Sequence, residues 1–134
     1  MSRTSRGTTT MSHTIVNPTA FGYSQAAVTA DGTAWIAGQY AADADGNLVP
    51  GDFAEQVRRS LANLGTALAA VGLDYQHVVR LGSFVVDHDL EKLAELVEQL
   101  TAIWGDRPPA QTLSGVAALA LPGMLFEIDA VAVR

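Results

Sequence analysis

Two acidic residues near the C-terminus, Glu127 and Asp129, are the first candidates for chemistry. They sit in the apolar segment Met124 to Val133, whose composition predicts a strand. Side chains alternate along a strand, so both carboxyls would point to one face, about 7 Å apart, together with Leu125, Val131 and Val133. Two acids on an otherwise apolar face cannot both be buried without partners. They mark either a solvent-facing strand or a carboxyl in a cleft, its pKa raised enough to exchange protons with water. Other groups offer less. His13, His77 and His88 lack the spacing of a metal site and read as isolated surface histidines. Ser83 and Ser114 follow no nucleophile-elbow pattern, and the glycines at Gly105 and Gly115 form no phosphate-binding loop. The chain has no cysteine, which removes thiolate nucleophiles, thiolate metal ligands and disulfides together.

The elements that must position these acids are legible from periodicity. From Asp52 to Val71, apolar residues at Phe53, Val57, Leu61, Leu64, Leu68 and Val71 recur in steps of three and four, with Asp52 as N-cap and Gly72 as stop. A second helix runs from Leu90 to Trp104, capped by Asp89 and ended by Gly105 ahead of Pro108-Pro109. Ser24 to Ala30 and Thr33 to Gln39 flank an Asp31-Gly32 turn, a strong hairpin signal. Val78 to Val86 and Gln111 to Leu119 read as further strands before the last one, a short strand fits Thr14 to Asn17, and Asp43 to Gly51 reads as a plain connector. The order β-β-α-β-α-β-β predicts an α+β domain, one mixed sheet with both helices on one face. The other face then needs a cover, and a second subunit is the natural supplier.

Composition narrows the function classes. At 134 residues there is room for one core only, expected over residues 13–134, with 1–12 a disordered Ser/Thr/Arg-rich extension. With 16% charged and 49% hydrophobic residues, the surface is low in charge for a monomer, which favours an oligomer. The net charge of −6 lacks the basic footprint that nucleic acid or an anionic membrane requires. The longest largely apolar stretch, Gly115 to Ile128, is interrupted by Pro122 and Glu127 and falls short of a membrane span. No secretory signal is visible, so a cytoplasmic location is the expectation.

Three short stretches, in order, go further. Phe21-Gly22-Tyr23-Ser24-Gln25 resembles the Gly-Pro-Tyr-Ser-Gln motif of the RidA/YjgF family. Trp35-Ile36-Ala37-Gly38-Gln39 resembles its strand ending in Ser-Gly-Gln. Pro109-Ala110-Gln111-Thr112, with Gly115-Val116-Ala117 and then Glu127-Ile128-Asp129-Ala130, resembles its Pro-Ala-Arg-Thr signature and closing Glu-Ile-Glu-Ala strand. The resemblance spans nearly everything after residue 12. It implies a chorismate-mutase-like fold and a homotrimer with clefts at the three interfaces. It also implies a cofactor-free deaminase that hydrolyses reactive enamines and imines, such as 2-iminobutanoate and 2-iminopropanoate, to ammonia and a 2-keto acid. Carried over by position, Glu127 orients the attacking water or shuttles its proton. Tyr23 forms cleft wall, the backbone at Gly38 approaches the ligand closely, and Gln111 and Thr112 stand in the substrate-binding signature.

Gln111 is the departure. The family has arginine there, gripping the substrate carboxylate with a two-pronged charged contact. Glutamine offers two donors and no charge. Losing a hydrogen bond to a charged group costs about 1.5–3 kcal/mol, or roughly 10- to 150-fold in affinity. Three explanations compete: an uncharged imine, enamine or amide-like ligand; a non-catalytic binding or scaffolding homotrimer; or a compensating cation, with Arg107 the first suspect.

Overall fold

The computed structural model describes residues 12–134. All but the last residue of the expected N-terminal extension therefore lies outside the described residues. The described chain runs β1 His13–Pro18, β2 Ser24–Thr29, β3 Ala34–Gln39, α1 Phe53–Ala70, β4 Val78–Val86, α2 Leu90–Trp104, β5 Ala110–Val116 and β6 Phe126–Ala132. These strands form one sheet in the order β1-β2-β3-β6-β4-β5. Only β4 and β5 pair in parallel, with α2 as their crossover; the other neighbours are antiparallel. The mixed sheet, the two helices and the element order agree with the sequence reading. The expected strand Gln111 to Leu119 ends early, at Val116, and an irregular turn leads into β6.

The last strand of the chain lies in the middle of the sheet, between β3 and β4. On one side it carries Phe126, Ile128, Ala130 and Ala132, all buried. Val57, Leu61, Leu64 and Leu68 of α1 are buried in the same cluster, as are Leu96, Leu100 and Trp104 of α2. Burying a side chain of this size contributes about 1.5–3 kcal/mol, so this layer carries most of the fold's stability. Phe53 meets Phe126 edge to face, ring centroids 5.9 Å apart. Asp52 caps α1 as expected, its Oδ1 accepting from the Glu55 amide at 2.9 Å. Asp89 does the same for α2 from Lys92 at 2.8 Å.

Among the described residues, no helix covers the opposite face. A row of residues crosses it in register, Ile15 beside Ala27 beside Trp35 beside Val131. Ile15 and Trp35 are about half exposed, 49% and 52%, and Val79 and Val133 are also exposed. Among the described residues no helix is long and apolar enough to cross a membrane.

Candidate active site

Glu127 emerges on the uncovered face of β6, paired across the ladder with Phe84 of β4. Its other neighbour is β3, whose register slips between Ile36 and Gln39. Gly38 lies in that slip. A Cβ at this position would stand 2.7 Å from Glu127 Cδ and 3.0 Å from its Cγ, well inside contact distance. The missing side chain is therefore the seat of the Glu127 carboxyl. Asp129 has a matching seat on β4, because a Cβ at Gly82 would lie 3.3 Å from its Cγ. Half-burial pushes the Glu127 pKa up, the charge of Asp129 pushes it further, and no hydrogen bond pulls it back. Asp129 is also raised by burial, but Arg80 and the Gly82 amide offset part of that. Of the two acids, Glu127 is the one left without a fixed partner among the described residues.

A cleft of about 520 Å³ opens over Glu127, with Phe21, Tyr23, Tyr40 and Leu121 among its walls. Local sequence explains each wall. The β1–β2 connection closes on itself, with the Thr19 hydroxyl donating to the Tyr23 carbonyl at 2.8 Å, while Gly22 takes the left-handed φ of 84° that lets the chain turn. Phe21 and Tyr23 are thereby held out at 68% and 40% exposure. The Tyr40 hydroxyl donates to the Gly46 carbonyl. Asn63 of α1 donates to the carbonyls of Tyr40 and Ala42 at 2.8 and 3.1 Å. Burial first, then Tyr23 and Glu127, raise the Tyr40 pKa, which keeps its hydroxyl a donor. Gln56, buried in α1, fixes the opposite rim: it donates to the Gly123 carbonyl at 3.0 Å and accepts from the Leu125 amide at 2.8 Å. The segment Asp43 to Gly51 is thus more than a plain connector, since Gly46 and Asn47 line the cleft.

The structure brings Tyr23, Gly38 and Glu127 together and leaves the signature residues elsewhere. Gln111 pairs with Leu81, which pairs with the buried Ala130, so its side chain stands on the helix side of the sheet. Its Oε1 accepts from the buried Ser83 hydroxyl at 2.5 Å. Within one chain, Gln111 and Glu127 are on opposite faces and separated by β4. Thr112 lies on the open face and receives a 3.3 Å hydrogen bond from Arg80. Arg107 is exposed and lines no part of the cleft. The cation on the acid-bearing face is Arg80, beside Asp129 and over Gly82. Sequence reasoning missed Arg80, although it lies in β4 at an even offset from Gly82. It also missed Phe21, Tyr40 and Leu121, whose roles depend on loop closure rather than periodicity. Among the described residues no group of three or more His, Cys, Asp or Glu side chains could hold a metal ion.

Comparison with known proteins places this geometry. Residues 14–134 match the family model described as Endoribonuclease L-PSP. The 2-iminobutanoate/2-iminopropanoate deaminase of Rattus norvegicus is 36% identical over 118 residues, which cover 87% of this chain and 84% of the relative. Protein DfrA of Myxococcus xanthus is 40% identical over 124 residues, covering 90% of this chain and 92% of that protein. The solved structure of YyfB from Yersinia pestis, of the conserved Rid protein family, superposes with a TM-score of 0.73 at 40% identity, covering 92% of this chain and all of that one. The fold is shared with the solved structure of YyfB, and sequence similarity runs along almost the whole described chain: the protein belongs to the endoribonuclease L-PSP family, also known as RidA/YjgF.

Proposed function

We propose that this protein hydrolyses a small, reactive imine or enamine to ammonia and a carbonyl compound, in clefts completed by neighbouring copies in a homotrimer. The observation that carries the reading is the half-buried, unpaired Glu127 carboxyl on the floor of the cleft, its pKa raised. A protonated imine carbon is already electrophilic, so the site has to hold the substrate, place a water and manage protons. Glu127 accepts a proton from water as its oxygen adds to the imine carbon. It returns that proton to the nitrogen, then takes up the hydroxyl proton as the C=O bond forms, the C–N bond breaks and ammonia leaves. A carboxyl with a raised pKa serves both halves of this exchange near neutral pH. No step calls for a cofactor. The deaminase relatives, named for 2-iminobutanoate and 2-iminopropanoate, support the reaction class.

The trimer rests on the uncovered face and on β5. That strand is an edge, with unpaired backbone groups that stable proteins cover or pair. Exposed Ile15, Trp35, Val79 and Val133 add an apolar surface that a second copy would bury. Docking β5 of one copy beside the cleft of the next would bring the Gln111 amide to a substrate that Glu127 already holds. The negative charge of the chain and the acids on the open face disfavour RNA as the substrate, despite the family's description.

The test is a coupled assay in which an amino-acid oxidase generates 2-imino acids beside wild type or Gln111→Arg, with imine loss read above the spontaneous background. The expected result is a gain of about 10- to 150-fold for the arginine variant, the worth of the missing charged contact. No acceleration by either protein, on these or on carboxylate-free imines, would refute hydrolysis and favour a binding trimer.

A further inference from the structure

The walls of the cleft say more about the substrate than its floor does. Phe21 is 68% exposed and Leu121 38%, yet both face the same concavity as Tyr23 and Glu127. Large apolar side chains left in water inside a cleft are the usual lining of a ligand site. Phe21 is also firmly placed. Its amide donates to the Thr19 hydroxyl at 3.2 Å, and its ring rests on Gly46, where an added Cβ would meet Cε2 at 3.3 Å. In the motif this stretch resembles, a glycine stands at the position of Phe21. The Phe21 ring is therefore a departure from that motif, added to the wall that Tyr23 already forms.

Charge points the same way. Among the described residues, Glu127 is the only carboxyl lining this cleft, and no Lys, Arg or His lines it. Arg80, on the same sheet face, is turned toward Thr112 and Asp129. Gln111, where the family signature has arginine, has its carbonyl committed to Ser83 and only a neutral amide donor to offer. On the described residues that one copy gives to the cleft, a substrate carboxylate would thus meet a like charge and no counter-charge, and the Gln111 amide that the next copy would bring is neutral. A protonated imine, being a cation, would find Glu127 alone.

We propose that the substrate is an imine without a carboxylate that carries an aromatic or bulky apolar substituent, held by Phe21, Tyr23 and Leu121 while Glu127 faces the C=N bond. Such imines arise by two-electron oxidation of primary amines, so the reaction that supplies them is an amine oxidation. Water then adds to the imine carbon, the C–N bond breaks, and the products are ammonia and an aldehyde or ketone. Phe21 is the specificity-determining residue. This rests on the hydrolytic reading above and sharpens it.

Matched imines test it. An amine oxidase acting on 2-phenylethylamine supplies the carboxylate-free aryl imine, and on butylamine its alkyl counterpart. An amino-acid oxidase acting on phenylalanine supplies the carboxylated aryl twin, and on 2-aminobutanoate the small imino acid. Each is mixed with wild type or Phe21→Gly, and ammonia release is followed. The expected result is a kcat/KM at least tenfold higher for the 2-phenylethylamine imine than for its carboxylated twin. Phe21→Gly should lower the aryl rate by about tenfold, bringing aryl and butyl imines to within about twofold of each other. Phe21 is exposed, so its loss leaves the core intact. Faster turnover of the carboxylated imines, or an aryl preference that survives Phe21→Gly, overturns the proposal while leaving hydrolysis standing. No acceleration of any of the four imines overturns both.

Discussion

Strand β6 has two sides that follow different rules. Toward the helices, Phe126, Ile128, Ala130 and Ala132 are each at most 4% exposed and make no polar contact. Toward the open face, Glu127, Asp129 and Val131 are half-buried, and the two acids rest on glycines of the neighbouring strands. The first side is filled to maximise contact. The second is emptied, with Gly38 and Gly82 withholding side chains so that carboxyls can lie against the sheet. Half-burial without a partner raises a carboxyl's pKa and costs stability when it ionises. One strand thus divides stability and reactivity between its two faces, at positions one residue apart.

Removing the core side is expected to have the largest effect. Phe126→Ala, which takes a wholly buried ring from under Phe53, should destabilise the fold by about 3–5 kcal/mol in urea denaturation. A loss under about 1 kcal/mol would mean that this side is not the stabilising one. Next comes the seat. Gly38→Ala should force the Glu127 carboxyl away from the sheet and lower turnover by on the order of 10²-fold, as a displacement of about 1 Å at a reacting group can. The acid limb of its pH–rate profile should move down as the carboxyl re-enters water. A rate loss with an unmoved acid limb would show that Gly38 acts on something other than the glutamate.

The smallest effect concerns stability against pH. The folded-state pKa of Glu127 is raised above its ordinary value of 4.5, so the folded state holds the proton more tightly than the unfolded chain. The contribution is fully present below that ordinary value and is lost as pH rises through the folded-state pKa. Glu127→Gln should therefore raise the urea midpoint at pH 7 over wild type, with the gap closing below about pH 4. A variant less stable than wild type at neutral pH would show that the carboxylate is held by favourable contacts.

The sequence made the core side of this comparison legible and the reactive side only partly so. Helix periodicity over 52–71 and 90–104 and the Asp31-Gly32 turn report which surfaces must be covered, because burial repeats at fixed intervals. Alternation also placed Glu127 and Asp129 on one face. It could not show that Gln111 faces the other way, since that depends on the register of β5 against β4. Nor could it show that Phe21 and Tyr40 converge on the same cleft, because side chain–backbone bonds such as Thr19 to Tyr23 and Tyr40 to Gly46 have no periodic signature. Arg80 was hidden for a similar reason: its neighbours Asp129 and Thr112 lie on other strands.

The most direct test of the central claim is the rate of imine hydrolysis by Glu127→Gln beside wild type, at pH 7, with both shown to be folded. Glutamine keeps the shape of the side chain and removes its ability to take and return a proton. A fall of about 10²–10⁴-fold, to near the spontaneous rate, is the expected result. A variant that keeps wild-type turnover would contradict the assignment of Glu127 as the proton shuttle and, with it, the reading of the glycine-seated carboxyl as the centre of the site.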